Sequence, residues 1–184
     1  MKLKEIASVQ SGIYEQPKPF GDVYYIQARH FDNEHKLLDS LMPELPLSSK
    51  LENHFLEKGD VIIASKGTEN FAVAYQERIH PVVASSTFLV IRLRVKEEVV
   101  PEYVSWFLNL RKTQLFLRGR SKGTSIPSIT KSDVENIDIP LPSVETQKLI
   151  LRIEELQNNE KVLRRKIESL KDSLIQQNLL NALK

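Results

Sequence analysis

Ile139-Pro140-Leu141-Pro142-Ser143-Val144-Glu145-Thr146-Gln147 is a proline-rich hinge, and the segment that it opens decides the fold. Beyond the hinge the chain steps by three and four through Ile153, Leu156, Glu160, Leu163, Ile167, Leu170, Leu174, Gln177 and Asn181. Six of these nine positions are apolar, and a step averaging about 3.5 is the coiled-coil period. The spacing predicts one long helix from about 143 to about 182. A helix of this kind cannot bury its seam alone, so Ile153, Leu156, Leu163, Ile167, Leu170 and Leu174 are the expected dimerisation residues. Glu160, inside the seam, is expected to pair with Arg164 or Lys166 of an opposing helix; the other reading is that the seam loosens there. The chain accordingly divides into residues 1–142 as a globular head and 143–184 as an association arm.

Working back from the hinge, the head has the length of one ordinary domain. The 184 residues are 41% apolar and 27% charged, which fits neither a disordered chain nor a fibre. Absence of cysteine excludes a disulfide framework and a thiolate metal site. Met1-Lys2-Leu3-Lys4-Glu5-Ile6 has no signal-peptide core, and no apolar run approaches a membrane span. The expectation is a soluble, cytoplasmic protein with no membrane partner.

Charge is unevenly placed. Residues 1–77 carry net −4, 78–132 net +7 and 133–184 net −1. Between Glu102 and Asp133 there is no acid, while Arg111, Lys112, Arg118, Arg120, Lys122 and Lys131 all fall there. Such a segment reads either as a surface for a polyanion or as a solvated helix face that balances the acidic N-terminal third.

Local patterns predict a short helix over 3–8, a strand over 23–27, and mostly irregular chain over 32–58. A buried strand is expected at 61–64, a turn at 65–70, and strands over 71–75 and within 82–94. Pro101 opens a helix in which Tyr103, Phe107, Leu110, Leu115 and Phe116 recur at helical spacing, ending at Gly119. Tyr103, Trp106 and Phe107 read as core far more readily than as a base-stacking platform. Thr130-Lys131-Ser132-Asp133 has the capping-box form of a helix start.

No enzymatic constellation is present. There is no phosphate-binding glycine loop or nucleophile elbow, and His30, His35, His54 and His80 lack metal-ligand spacing. A weak nuclease reading would use Asp22, Glu34 and Lys36 around a cation, but Glu34 and Lys36 fall in a polar stretch. The loop from Gly119 to Lys131 says more. It carries two glycines, several hydroxyls and three cations, the equipment for contacting phosphates and base edges. Its plain alternative is a flexible connection. The turn Ser65-Lys66-Gly67-Thr68-Glu69-Asn70 offers a second hydroxyl-and-lysine tip, which alone would be an ordinary hairpin connection.

In order along the chain, these pieces resemble half of a DNA specificity subunit of a type I restriction-modification system. The resemblance runs from Ser11-Gly12 through Lys58-Gly59-Asp60-Val61-Ile62-Ile63 and Lys66-Gly67-Thr68 to Pro101-Glu102-Tyr103-Val104. It continues through Gly123-Thr124 and Ile126-Pro127 into the hinge and its heptad helix, the most specific element. The chain departs from the common Pro-Leu-Pro-Pro-Leu-x-Glu-Gln hinge at Ser143, Val144 and Thr146, while Gln147 is retained. A second glycine common near Asn70 is also missing. Specificity subunits usually carry two recognition domains and two long helices; one of each stands here.

The resemblance implies an α+β fold: a mixed α/β target-recognition domain followed by a long C-terminal coiled-coil helix. It implies double-stranded DNA as ligand and the methyltransferase subunit as partner, with the restriction subunit as a further one. It implies no catalysis, cofactor or metal in this chain, and antiparallel pairing of long helices, here as a homodimer. Base reading is assigned to Ser65, Lys66, Thr68 and Asn70, and to Arg120, Ser121, Lys122, Thr124, Ser125, Ser128, Thr130 and Lys131. Arg29 and His30 are added as further candidates. Arg111, Lys112 and Arg118 are assigned to phosphates. The rival classes are a structural coiled-coil adaptor with a protein-binding head, and a small nuclease built on Asp22, Glu34 and Lys36.

Overall fold

The structure, a computed structural model, describes residues 1–67, 69–120 and 127–183. The chain divides into two units, Met1–Gln147 and Lys148–Lys184. In chain order the first unit contains α1 (Leu3–Ile6), β1 (Ala7–Ser11), β2 (Val23–Ile26), a 3-10 turn (Ala28–His30) and β3 (Pro43–Leu45). Next come α2 (Ser49–Glu52), β4 (Val61–Ala64), β5 (Ala72–Ala74), β6 (Val82–Ala84), β7 (Phe88–Leu93), α3 (Pro101–Asn109), α4 (Arg111–Arg120) and α5 (Lys131–Glu135). The long helix α6 spans Val144–Ala182.

An antiparallel sheet in the order β1-β7-β4-β5 shares its core with a three-stranded sheet in the order β3-β2-β6. β4 is buried along its whole length. Alternation along the strand explains this: Ile62 and Ala64 join Ile26, Val82, Ala84, Phe88 and Val90 in one cluster, while α3 packs against β4 and β5. A second cluster gathers Val23, Tyr25, Leu45, Leu51 and Val83. Gly12 is required where β1 leaves its sheet, because a Cβ there would fall on the carbonyl oxygens of Ala84 and Ser85.

The α+β class and the long C-terminal helix agree with the sequence reading; several boundaries differ. The opening helix stops at Ile6, since Ala7 to Ser11 pair with β7. Residues 82–94 form two strands in different sheets, split where Phe88 N donates to Ser85 O at 2.9 Å. The helix expected from Pro101 to Gly119 breaks at Leu110, whose backbone is extended in ψ (137°), and α4 runs on through Arg120. The reason lies in side chains: Asn109 exchanges two 2.8 Å hydrogen bonds with the backbone of Ala72 on the edge of β5, and Gln114 donates to Asn70 O and Leu108 O. Residues 32–37, within the stretch expected to be mostly irregular, close into a small hairpin with Phe31 bridged to Leu37. Tyr103 is core, whereas Trp106 and Phe107 are partly buried.

The termini of the first unit are tied together. Leu3 N donates to Ile137 O and Ile139 N to Met1 O, each at 2.9 Å. The first turn of α6 is fixed by Gln147, fully buried. Its Oε1 accepts from Val100 N at 2.9 Å, and its Nε2 donates to Glu98 O at 2.8 Å and Pro142 O at 2.9 Å.

In the second unit the seam residues Ile153, Leu156, Leu163, Ile167, Leu170 and Leu174 are 48–60% exposed. Within the helix, Glu160 pairs with Arg164 at 2.7 Å. No helix among the described residues is long and apolar enough to cross a membrane.

Candidate nucleic-acid interface

Two segments singled out in the sequence, 65–70 and 120–131, meet in space. Lys66 and Ser128 form an antiparallel bridge. Gly67 N donates to Pro127 O at 3.1 Å, and Ile129 N donates to Ser65 O at 2.9 Å. Gly67 turns the chain with φ of +113°, a conformation glycine adopts without a Cβ penalty. Ile129, nearly fully buried, fastens the returning segment beneath the β4–β5 turn.

This placement sorts the expected contact residues. Lys66 is exposed at the junction and Ser128 is half-buried. Ser65 and Asn70 require correction as base readers. Ser65 is 5% exposed, and its Oγ donates to Thr87 O at 2.9 Å. Asn70 is 2% exposed, and its Nδ2 donates to Ala64 O at 2.9 Å. Both side chains hold the turn from inside. Thr68, Ser121, Lys122, Thr124 and Ser125 lie outside the described residues.

Thr130 caps α5: its Oγ1 donates to Asp133 Oδ2 at 2.6 Å and accepts from Asp133 N at 3.2 Å. Its hydroxyl therefore has a structural task, and the capping box read from the sequence is present. Lys131 pairs with Glu135 at 3.5 Å, one turn along. Arg120 lies 3.9 Å from Asp133 and over the Phe116 ring at 4.7 Å. Arg111, Lys112 and Arg118 are exposed on α4 and have no ion pair among the described residues.

Arg29 and His30 sit on the 3-10 turn after β2. Arg29 reaches Glu44 at 3.2 Å, and its Nε faces His30 Nε2 at 3.1 Å. Gln27 N faces His30 Nδ1 at 3.2 Å, and a neutral imidazole, with one N–H, accepts from only one of these two donors. Partial burial, then the neighbouring Arg29 charge, hold the His30 pKa below the ordinary 6.5.

Between this region and the β4–β5 turn lies a cleft of about 460 Å³ that sequence reading did not anticipate. Ala28, Phe31, Asp32, Asn33 and His35 line one side; Lys66, Gly67, Glu69 and Phe71 line the other. His35 stacks on Phe71 with centroids 4.3 Å apart and planes 6° from parallel, and its Nε2 lies 3.3 Å from Glu69 Oε2. The available signal was Asp32-Asn33, a turn-forming pair near a histidine, but nothing local showed which strand it would face.

The nuclease trio is not assembled as a metal site. Glu34 and Lys36 are 2.7 Å apart and paired with each other, while Asp22 accepts from Leu47 N at 3.3 Å. Among the described residues, no group of three or more histidine, aspartate and glutamate side chains is placed to hold a metal ion.

Comparison with known proteins gives a consistent family. A model of the type I restriction modification DNA specificity domain matches residues 1–171. A 71-residue stretch is 38% identical to the type I restriction enzyme MjaVIII specificity subunit of Methanocaldococcus jannaschii, covering 39% of this chain and 16% of that protein. In fold, the chain is similar to the HsdS subunit of Thermoanaerobacter tengcongensis, with TM-score 0.65 and 23% identity over 90% of this chain and 43% of that one. The S subunit of a type I restriction-modification system from M. genitalium is also similar, with TM-score 0.58 and 14% identity, covering 86% of this chain and 38% of that one. The chain thus spans less than half the length of each of these relatives.

Proposed function

The chain belongs to the family of type I restriction-modification DNA specificity domains, matched over residues 1–171, and from that membership we propose that it recognises one half of a bipartite double-stranded DNA site. It acts as a non-catalytic subunit that directs a methyltransferase subunit, and with it a restriction subunit, to DNA. No cofactor is needed for that task, and the place of action is the cytoplasm. The observation that carries the reading is the junction of Lys66 with Ser128, which brings both predicted contact segments to one edge of the first unit.

In this reading Lys66 and Ser128 face bases, with the loop that continues from Arg120. Arg111, Lys112 and Arg118, exposed and unpaired among the described residues, neutralise phosphates. The exposed seam of α6 pairs antiparallel with that of a second copy, so two identical heads read an inverted repeat across a nonspecific spacer. A helix of 39 residues is roughly 60 Å long and serves as the ruler.

The test is fluorescence anisotropy of a labelled duplex pool against the full chain, with and without the methyltransferase subunit, across a salt series. Three exposed cations on phosphates imply a slope of log affinity on log salt of about −2.7, or roughly a fortyfold loss between 50 and 200 mM. Absence of binding, or affinity indifferent to salt, would refute the reading and favour a protein-binding adaptor.

A further inference from the structure

We propose that the hairpin at residues 31–37 is a second reading element, and that Asn33 and Glu69, on opposite sides of the cleft beside it, are specificity-determining residues that each contact a base edge. This rests on the proposed DNA recognition and adds residues that the sequence did not suggest.

The hairpin is built rigidly, which a reading element needs. One carboxylate oxygen of Asp32 accepts from both Glu34 N and Lys36 N, each at 2.8 Å. Asp32 N donates to Lys36 O at 3.0 Å, and Leu38 N donates to His30 O at 2.9 Å. Phe31 anchors the base of the hairpin, packing 5.2 Å from Phe71 and 5.8 Å from Phe88. Asn33 is carried on this frame, exposed and lining the cleft.

His35 ties the hairpin to the β4–β5 turn. Its ring lies flat on Phe71, and its Nε2 reaches Glu69. Glu69 is thereby steered from both directions: its backbone by the turn, its carboxylate by the imidazole. His35 is the positioning residue here, and Lys66 on the same wall offsets the carboxylate's repulsion of phosphates.

The two side chains are chemically distinct readers. An asparagine amide offers a donor and an acceptor together, which matches adenine N6 and N7. A carboxylate only accepts, which matches the cytosine N4 amino group. The cleft also adjoins the Lys66–Ser128 junction, so both readers stand beside the surface already assigned to DNA.

The experiment is selection from a randomised duplex library by the full chain, then sequencing, with a salt series on the selected site, for the wild type, Asn33→Ala, Glu69→Gln and Lys112→Ala. Asn33→Ala should lose preference at one position of the half-site, by roughly tenfold against the wrong bases. Glu69→Gln should change a cytosine preference to adenine at another position, because glutamine gains a donor. Both should keep the wild-type melting temperature, whereas Lys112→Ala, which removes a phosphate contact, should flatten the salt slope and leave the motif. Unchanged motifs for both Asn33→Ala and Glu69→Gln, with the wild type selecting normally, would overturn the assignment. A wild type that enriches no motif would overturn the underlying DNA reading instead.

Discussion

Arg92 grips Asp60 with two hydrogen bonds, Nε to Oδ1 at 2.9 Å and a terminal nitrogen to Oδ2 at 2.7 Å, at a point where Asp60 is 1% exposed. The same guanidinium donates to Phe55 O at 2.8 Å and reaches Glu57 at 2.8 Å, while Asp60 Oδ2 also accepts from Glu57 N. This network joins β7 to the turn that starts β4. Removing Asp60 leaves Arg92 with only Glu57 and the Phe55 carbonyl and orphans Glu57 N, a cost of about 1–3 kcal/mol. Asp60→Ala should show that loss in urea unfolding, with the m-value unchanged.

How much of this was readable beforehand depends on whether the signal was local. The heptad seam of α6, proline at the first turn of α3 and the Thr130–Asp133 capping box are patterns within one element, and each stands in the structure. The break at Leu110 was not readable, because no glycine or proline marks it. It comes from Asn109 and Gln114 bonding to β5 and its neighbouring loop, a contact made only after folding. The split between β6 and β7 had a local trace, Ser85-Ser86-Thr87, that β-propensity on either side obscured. The site divides in the same way. A run of cations and hydroxyls marks 120–131, but burial of Ser65 and Asn70 and the approach of 31–37 to Glu69 are tertiary facts.

Gln147 should matter out of proportion to its polarity. Its three hydrogen bonds satisfy Val100 N, Glu98 O and Pro142 O inside the first unit, with no solvent access. Each net bond contributes about 1 kcal/mol, and orphaned groups add to the loss. Gln147→Ala should cost about 2–3 kcal/mol by chemical denaturation. Gln147→Glu should be worse at neutral pH, since a carboxylate cannot donate to the two carbonyls, and should recover only in part as acidification gives it one O–H donor.

Alkaline stability should depend on Tyr75. Burial, with the nearby Glu77 and Asp60 charges, pushes its pKa from 10.0 up to about 12. The folded value is the higher one, so the neutral phenol contributes stability that is fully present below about pH 10. That contribution is lost as pH rises toward about 12. Tyrosinate absorbance of the folded chain should include a component that ionises well above pH 10 and that Tyr75→Phe diminishes, with Tyr103, which burial also raises, contributing to it. Tyr75→Phe should flatten the fall in stability over this interval.

The opposite sign applies to His30. Its folded pKa is lowered, so its contribution is present above pH 6.5 and is lost as pH falls through the depressed value. Equilibrium unfolding at about pH 7 and about pH 5 should show a smaller difference for His30→Gln than for the wild type. Equal differences would mean that the N–H donors of Gln27 and Arg29, which face its two ring nitrogens, adjust to its protonation without cost.

Pairing through α6 is tested by solution mass and by site geometry together. Light scattering should give twice the 21.2 kDa chain mass. Leu163→Glu with Leu170→Glu should return the single-chain mass, because charges placed in the seam lose their hydration if the helices pair. The first unit should stay folded in that variant, since both substitutions lie in the second. Identical heads held at a fixed separation also require a fixed spacer. On a selected inverted repeat, adding or removing one base pair between half-sites should weaken the dimer by at least roughly tenfold. The double variant, bound to one half-site at a time, should be indifferent to the change. A dimer equally indifferent to spacing would mean that the helix joins two heads without measuring the distance between them.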